Sequence, residues 1–272
     1  MPIKDLFEHC CGSIAGKEHR RLWKNNQDAL CLKSEENAIV GIVCDGCGSQ
    51  PQSEVGAQIG AQLVTQKLLD SLKKSSRLNR CFEEARQEII SSLRAMLSAG
   101  IIGQNMIEEA LLFSIMGFAI TPALCMIFSI GDGVYILNGC INQIGPFEDN
   151  APPYLGYELF EEVPFAAASL RFKIHTIIPT KKLQSLLVGS DGCQGFLENC
   201  ECKIPGKDET MGSLQQFCAD DRYYKGYLPN NRLKVANREH VSGDWVNQKL
   251  IIEQGLLSDD TTFIALRRKE GK

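Results

Sequence analysis

Three aspartates stand next to the ends of apolar runs, and carboxylates placed that way can do chemistry. They are Asp45 in IVCDGCGS, Asp191 in LLVGSDG, and Asp259, followed by Asp260, in LLSDDTTFIAL. A strand end holds a side chain on rigid backbone and still opens it to a cleft. Several carboxylates converging in one cleft repel one another unless cations lie between them. A set of oxygen ligands suits magnesium or manganese rather than zinc. Gly46 permits a tight turn after Asp45 and lets a backbone carbonyl approach a metal with no side chain in the way. Any single Asp-Gly is ordinarily just a turn signal, so the chemistry rests on the set.

The elements that must position these residues can be read from periodicity. Residues 29–33 and 38–44 read as strands, and the run AIVGIVC suits a strand buried on both faces. Ser53 reads as an N-cap, with Glu54 in the first turn of the helix that follows. Val55, Ile59, Leu63, Leu68, Leu69 and Leu72 then recur at helical spacing, as do Phe82, Ala85, Ile89, Leu93 and Leu97. A polar connection at 75–79 separates these two helices. Residues 111–120, 123–130, 133–138 and 140–144 read as consecutive strands, with Asn138-Gly139 as a two-residue hairpin turn. Residues 146–153 read as loop, 171–178 and 184–190 as strands, and 199–243 as a polar segment with a helix around 211–220. A helix at 244–254 and a last strand, TTFIALRR, close the chain. Strands and helices come in blocks, which argues for α+β rather than strict alternation. No repeat, low-complexity stretch or domain boundary divides residues 1–272, so one domain is expected.

Composition sets limits on function. The chain has 272 residues, of which 44% are hydrophobic, enough for one sizeable core. Its 29 basic residues are scattered among 33 acidic ones, with no basic stripe, so nucleic acid is not an expected partner. Residues 111–130 carry no charge and are long enough to span a bilayer. Thr121-Pro122 breaks that run and Glu108, Glu109 and Asp132 flank it, so two buried strands are expected and a membrane is not. The first residues hold no long apolar run after their charges. The expectation is therefore a cytoplasmic protein whose twelve cysteines stay reduced.

Six short elements in order resemble the metal-dependent protein phosphatases of the 2C type. Asn26-Gln27-Asp28-Ala29 is similar to the family's Asn-acidic-Asp element, and Asp45-Gly46-Cys47-Gly48-Ser49 to its Asp-Gly-x-Gly metal loop. Met116-Gly117 is similar to its Met-Gly-Thr-Thr strand and Gly131-Asp132-Gly133 to its Gly-Asp-Ser-Arg element. Ser190-Asp191-Gly192 is similar to its Ser-Asp-Gly, and Asp259-Asp260-Thr261-Thr262 to its terminal Asp-Asn-x-Thr. The run from Gly16 to His19, and Ser53-Glu54-Val55-Gly56-Ala57, are similar to a bacterial branch of the family.

The resemblance implies a four-layer α-β-β-α sandwich of two antiparallel sheets flanked by helices. It implies a serine/threonine phosphoprotein phosphatase with two divalent metals, manganese or magnesium, bridged by Asp45. Asp191 and Asp259 would complete one metal's shell and the Gly46 carbonyl would join the other. Asp28 and Asp45 would be the catalytic carboxylates, Asp28 helping to hold water. A hydroxide bridging the metals would attack phosphorus in line. The implied partner is a phosphorylated protein, including a cognate serine/threonine kinase.

The sequence also departs from the pattern. Cys47 follows Asp-Gly where animal members place a His, and is expected to act as a spacer. Trp23 stands where many members have a phosphate-gripping Arg. His19, and after it Arg20 or Arg21, are the expected substitutes. The Asp used for a third metal falls near Ser114, so two metals are expected. Asp132 is expected to support a turn and Asp260 to sit behind the ligands. Two other readings compete: a catalytically weak pseudophosphatase that binds a kinase or phosphoprotein, and a thiol redox protein using Cys44 and Cys47, with Cys10, Cys11, Cys200 and Cys202 as paper candidates for zinc.

Overall fold

The computed structural model describes residues 2–74, 77–269 and 271. Among the described residues twelve strands form: β1 (Phe7–Ile14), β2 (Asp28–Ser34), β3 (Ile39–Gly46), β4 (Phe113–Ile120), β5 (Leu124–Ile130), β6 (Gly133–Leu137), β7 (Cys140–Ile144), β8 (Lys173–Pro179), β9 (Ser185–Gly189), β10 (His240–Asp244), β11 (Lys249–Glu253) and β12 (Thr261–Arg268). The helices are α1 (Lys17–Arg21), α2 (Ser53–Lys74), α3 (Leu78–Ser98), α4 (Met106–Glu109), α5 (Gln194–Glu198), α6 (Gln216–Ala219) and α7 (Leu228–Ala236). One antiparallel sheet has the order β1-β12-β9-β6-β7, and a second has the order β2-β3-β4-β5-β8. The expected architecture of two antiparallel sheets flanked by helices is what the chain adopts.

Side-chain alternation explains the layers. Along β3, Ile39 and Val43 face the other sheet, packing with Phe118, Val188 and Ile264. Val40, Ile42 and Cys44 face outward, under Ala61, Val64 and Leu68 of α2 and Phe82 and Ile89 of α3. Both faces are covered, so the strand reads as an unbroken apolar run. The outer face of the other sheet is covered by Phe196, Phe217, Tyr223 and Leu233, from α5, α6, α7 and the turn between them. At roughly 25 cal/mol per Å² of apolar surface buried, these three layers supply the bulk of the folding free energy.

Several sequence expectations hold. Residues 111–130 form β4 and β5, and Thr121 closes the turn between them: its N–H donates to Leu124 O at 2.8 Å and its hydroxyl accepts from Leu124 N at 3.1 Å. Among the described residues no helix is long and apolar enough to cross a membrane. Asn138 and Gly139 both take positive φ, 49° and 85°, as a type I′ hairpin turn requires. Of the polar connection at 75–79, Ser75 and Ser76 lie outside the described residues.

Three expectations need correction. Ser53 opens α2 but does not cap it, because its hydroxyl is buried with no hydrogen-bond partner among the described residues. The expected helix at 211–220 shrinks to α6, and α7 was not anticipated. Residues 244–254 are not helical: they complete the hairpin of β10 and β11. The strand β1 was also missed, since Glu8, His9, Gly12 and Ser13 interrupt its apolar residues. Pairing with β12, from the far end of the chain, makes it a strand.

Candidate metal centre

All the aspartate-bearing elements end at one edge of the sandwich. Register puts Asp28 of β2 beside Asp45 of β3, and Asp45 beside Ser114 of β4. Alternation puts that row on the inner face, toward the other sheet. That sheet contributes Asp191, just after β9, and Asp259, just before β12. Asp132 lies between β5 and β6, where the chain crosses from one sheet to the other. A cavity of about 350 Å³ opens there, lined by His19, Asp45, Gly46, Asp132, Asp191 and Asp259. Cys47, Ser114, Asp149 and Tyr154 also line it.

The site concentrates negative charge in buried space. Burial, and then Asp28, Asp191 and Asp132, push the Asp45 carboxyl well above its ordinary range. Asp191 is raised by burial and by Asp259 and Asp260, and it hydrogen-bonds Asp45. Asp132 is pushed up to about 6 by burial and by Asp191 and Asp259, against a hydrogen bond from Ser114. Asp28 lies one layer behind the cavity and is raised by burial and by Asp260. Its Oδ2 accepts from Ser190 Oγ at 2.7 Å, while its Oδ1 is buried with no partner among the described residues. This donor set of crowded oxygens, one of them orphaned, fits hard divalent cations. Asp45, Gly46, Asp191 and Asp259 all border the space such ions would fill.

Gly46 is required by packing as well as by its place beside the cavity. A Cβ there would lie 2.8 Å from Gln27 O and 2.8 Å from Ser53 Cβ. The Gly46 N–H donates to Gln27 O at 3.1 Å, fastening the metal loop to the Asp28 element.

Asp260 does a different job from Asp259. It is 3% exposed, and its carboxylate accepts from Gly16 N at 2.7 Å and Gln27 N at 2.5 Å. His19 Nδ1 lies 2.8 Å from the same carboxylate, without hydrogen-bond alignment. Ligand atoms of His19, Asp259 and Asp260 lie within 4.8 Å of one another, a spacing that could hold an ion. The Asp260 oxygens are already taken by backbone donors, so Asp260 ties the start of β2 and the loop before α1 to the start of β12. Its neighbours Leu257 and Ser258 accept from Lys17 N and Glu18 N, which seats α1 beside the cavity.

The sequence-predicted residues therefore divide. Asp45, Gly46, Asp191, Asp259 and His19 come together; Asp28 supports them from behind. Arg20 does not join them: its guanidinium donates to Asn237 O, and it lines a separate cleft with Lys17, Arg21 and Glu239. Trp23 is 95% exposed and outside the cavity. Asp132 was assigned only a turn. The turn is real, with positive φ at both Gly131 and Gly133, and it delivers the carboxylate into the cavity. Tyr154 carried no sequence signal. Cys44 is fully buried against α2, and its thiol is raised well above its ordinary range by burial, the reverse of a redox thiol.

Comparison with known proteins gives a consistent picture. A bacterial serine phosphatase bearing an arginine-to-glutamate mutation aligns at 15% identity over 97% of this chain and 99% of its own, with a TM-score of 0.51. A C. elegans sex-determining protein aligns at 10% identity over 96% of this chain and 64% of its own, also with a TM-score of 0.51. The serine/threonine phosphatase Stp1 from Staphylococcus aureus aligns at 16% identity over 100% of this chain and 98% of its own, with a TM-score of 0.49. The first two likenesses establish the fold. A sequence search of curated proteins finds no significant match. The family model described as Protein phosphatase 2C matches residues 15–222, well over half of the chain, and the chain belongs to the protein phosphatase 2C family.

Proposed function

We propose that this chain hydrolyses phosphate monoesters on serine and threonine residues of phosphoproteins, with divalent cations held by Asp45, Asp191, Asp259 and the Gly46 carbonyl. The observation behind this is the convergence of carboxylates from both sheets on one cavity, with pKa values raised by burial and by one another. Manganese or magnesium would supply positive charge that acidifies water and offsets charge on the phosphoryl oxygens.

The chain's own groups do the rest. Asp45 and Asp191 would hold the cations, one from each sheet, so the packed core between the sheets fixes their separation. Asp28, gripped through Ser190 Oγ at one oxygen and beside Asp45 in register, would orient water with the other. His19, held against Asp260, faces the incoming phosphoryl group and binds its oxygens. Cys47 serves as a spacer: its N–H donates to Leu112 O at 2.9 Å and its thiol lies 3.2 Å from Ser49 Oγ. A cognate serine/threonine kinase is one protein that would present such a substrate. The cytoplasm is the compartment in which the proposed reaction would run, since it keeps all twelve thiols reduced.

The competing reading, a phosphoprotein binder without turnover, draws on Trp23 and Cys47; the intact carboxylate set favours turnover. Hydrolysis of a chromogenic aryl phosphate and a phosphothreonine peptide, with manganese or chelator, decides between them. Metal-dependent turnover that disappears in Asp45→Asn and Asp191→Asn supports catalysis. Phosphopeptide binding with no turnover supports the binder.

A further inference from the structure

The hairpin of β10 and β11 stands apart from both large sheets. A lone two-stranded hairpin is marginal in water, yet this one displays six large apolar side chains. Val241, Trp245, Val246, Leu250, Ile251 and Ile252 are between 49% and 92% exposed. Val241 lies opposite Ile252 and Gly243 opposite Leu250, and the Trp245 indole lies against Gly243. Val241, Leu250, Ile252 and Trp245 therefore share one face. Among the described residues the outer edge of β11 has no strand beside it, and its backbone bonds only to β10. An exposed apolar edge of this kind is a template for another strand.

We propose that the edge of β11 pairs with the same edge of a second copy of this chain, giving a two-fold dimer with a continuous four-stranded sheet. The strand's own residues are complementary to themselves. Its five residues are Lys249-Leu250-Ile251-Ile252-Glu253. Pair two copies antiparallel about Ile251, and Lys249 faces Glu253 of the second copy at both ends. Leu250 faces Ile252 of the second copy, and Ile251 faces itself.

The match extends to the inner strands, because Asp244 is opposite Lys249 and His240 is opposite Glu253. Across the four strands, one row reads Asp244, Lys249, Glu253 of the second copy and His240 of the second copy, so each lysine has a carboxylate on either side. A two-fold contact requires this self-complementarity, since each patch must fit its own copy. The edge of β10 is a poorer template, with Val241 its only apolar side chain beside Ser242 and Gly243. In its own chain Glu253 accepts from Gly206 N through Oε2, which leaves its Oε1 for the partner lysine.

The test is the oligomeric state of the full chain by analytical ultracentrifugation over a range of concentrations. Wild type is expected to dimerise reversibly. Lys249→Glu sets glutamate against glutamate at both ends, and Glu253→Lys sets lysine against lysine. Each should weaken the dimer about tenfold or more, the sum of two pair energies reversed in sign. Mixing the two variants should restore association as a heterodimer, since each chain then carries the charges the other lacks. Unchanged circular dichroism and melting confirm that both variants are folded. A chain that is monomeric at every concentration overturns the proposal, as does a dimer indifferent to Lys249→Glu. Folded variants that fail to associate on mixing overturn it too.

Discussion

The aspartate cavity and the 240–253 hairpin invert the usual partition of side chains in opposite directions. The cavity buries charged carboxylates with too few donors; the hairpin exposes large apolar side chains with nothing packed on them. Buried polar groups and exposed apolar patches are the informative exceptions in a folded chain. Each names its missing partner by chemistry. Crowded oxygens call for hard cations, and an apolar strand edge with a lysine at one end and a glutamate at the other calls for its own copy. The two regions also differ in support. The cavity is held by strands of both sheets and by the core between them, whereas the hairpin bonds chiefly within itself, with Glu253 accepting from Gly206 N as a tie to the rest of the chain.

The largest effect should come from the cavity's centre. Asp45→Asn is expected to lower kcat/KM on an aryl phosphate roughly a thousandfold, the scale of removing a central electrostatic group. With chelator present, the same variant should melt higher than wild type, because one repelling carboxylate is gone. Retained turnover, or a lower melting point in chelator, would break the view that this carboxylate is kept for function at a cost in stability.

Next in size is the contrast between neighbours on α1. His19→Gln should raise KM about tenfold while kcat changes less, as loss of a charged hydrogen bond to phosphate would do. Arg20→Ala should leave KM within about twofold, since its guanidinium serves Asn237 rather than the cavity. Equal effects in steady-state kinetics would erase the distinction drawn between them.

Packing at the metal loop comes third. Gly46→Ala is expected to destabilise the chain by about 2 kcal/mol in chelator, by overpacking against Gln27 and Ser53. Denaturant titration measures this.

The pH dependence tests the cavity's charge. Asp45, Asp191 and Asp132 are all raised in the folded chain, Asp132 to about 6. A raised carboxyl binds protons more tightly folded than unfolded. Its contribution to stability is therefore present at low pH and lost as pH rises through the folded pKa. Cations replace those protons, so the rise in melting temperature on adding manganese should be larger at pH 7.5 than at pH 5. An equal rise at both would contradict the site's electrostatics.

The smallest effect belongs to the hairpin tip. Trp245 is 89% exposed, so Trp245→Ala should shift monomer stability by less than about 0.5 kcal/mol, read by denaturant titration at low concentration. A larger loss would show that the hairpin is anchored more firmly than its exposure implies.

By itself the sequence determined the layers and that the aspartates lie at one sheet edge. Runs such as AIVGIVC can be satisfied only by burial on both faces, and the aspartates that end such runs must then lie at a sheet edge. Six short elements in one order were enough to suggest the family, and Asn138-Gly139 was enough for a hairpin. Tertiary structure decided the rest, because those features depend on contacts between residues far apart in the chain. The strand β1 exists because β12 lies beside it. Asp132 enters the cavity because its turn crosses between sheets. His19 faces the cavity and Arg20 turns away because Leu257, Ser258 and Asp260 fix the seat of α1. Residues 240–253 form a hairpin, although LIIE within a polar setting fits a helical period as readily as a strand. Over so short a run periodicity cannot choose, and the choice came from the pairing of Val241 with Ile252 and Gly243 with Leu250.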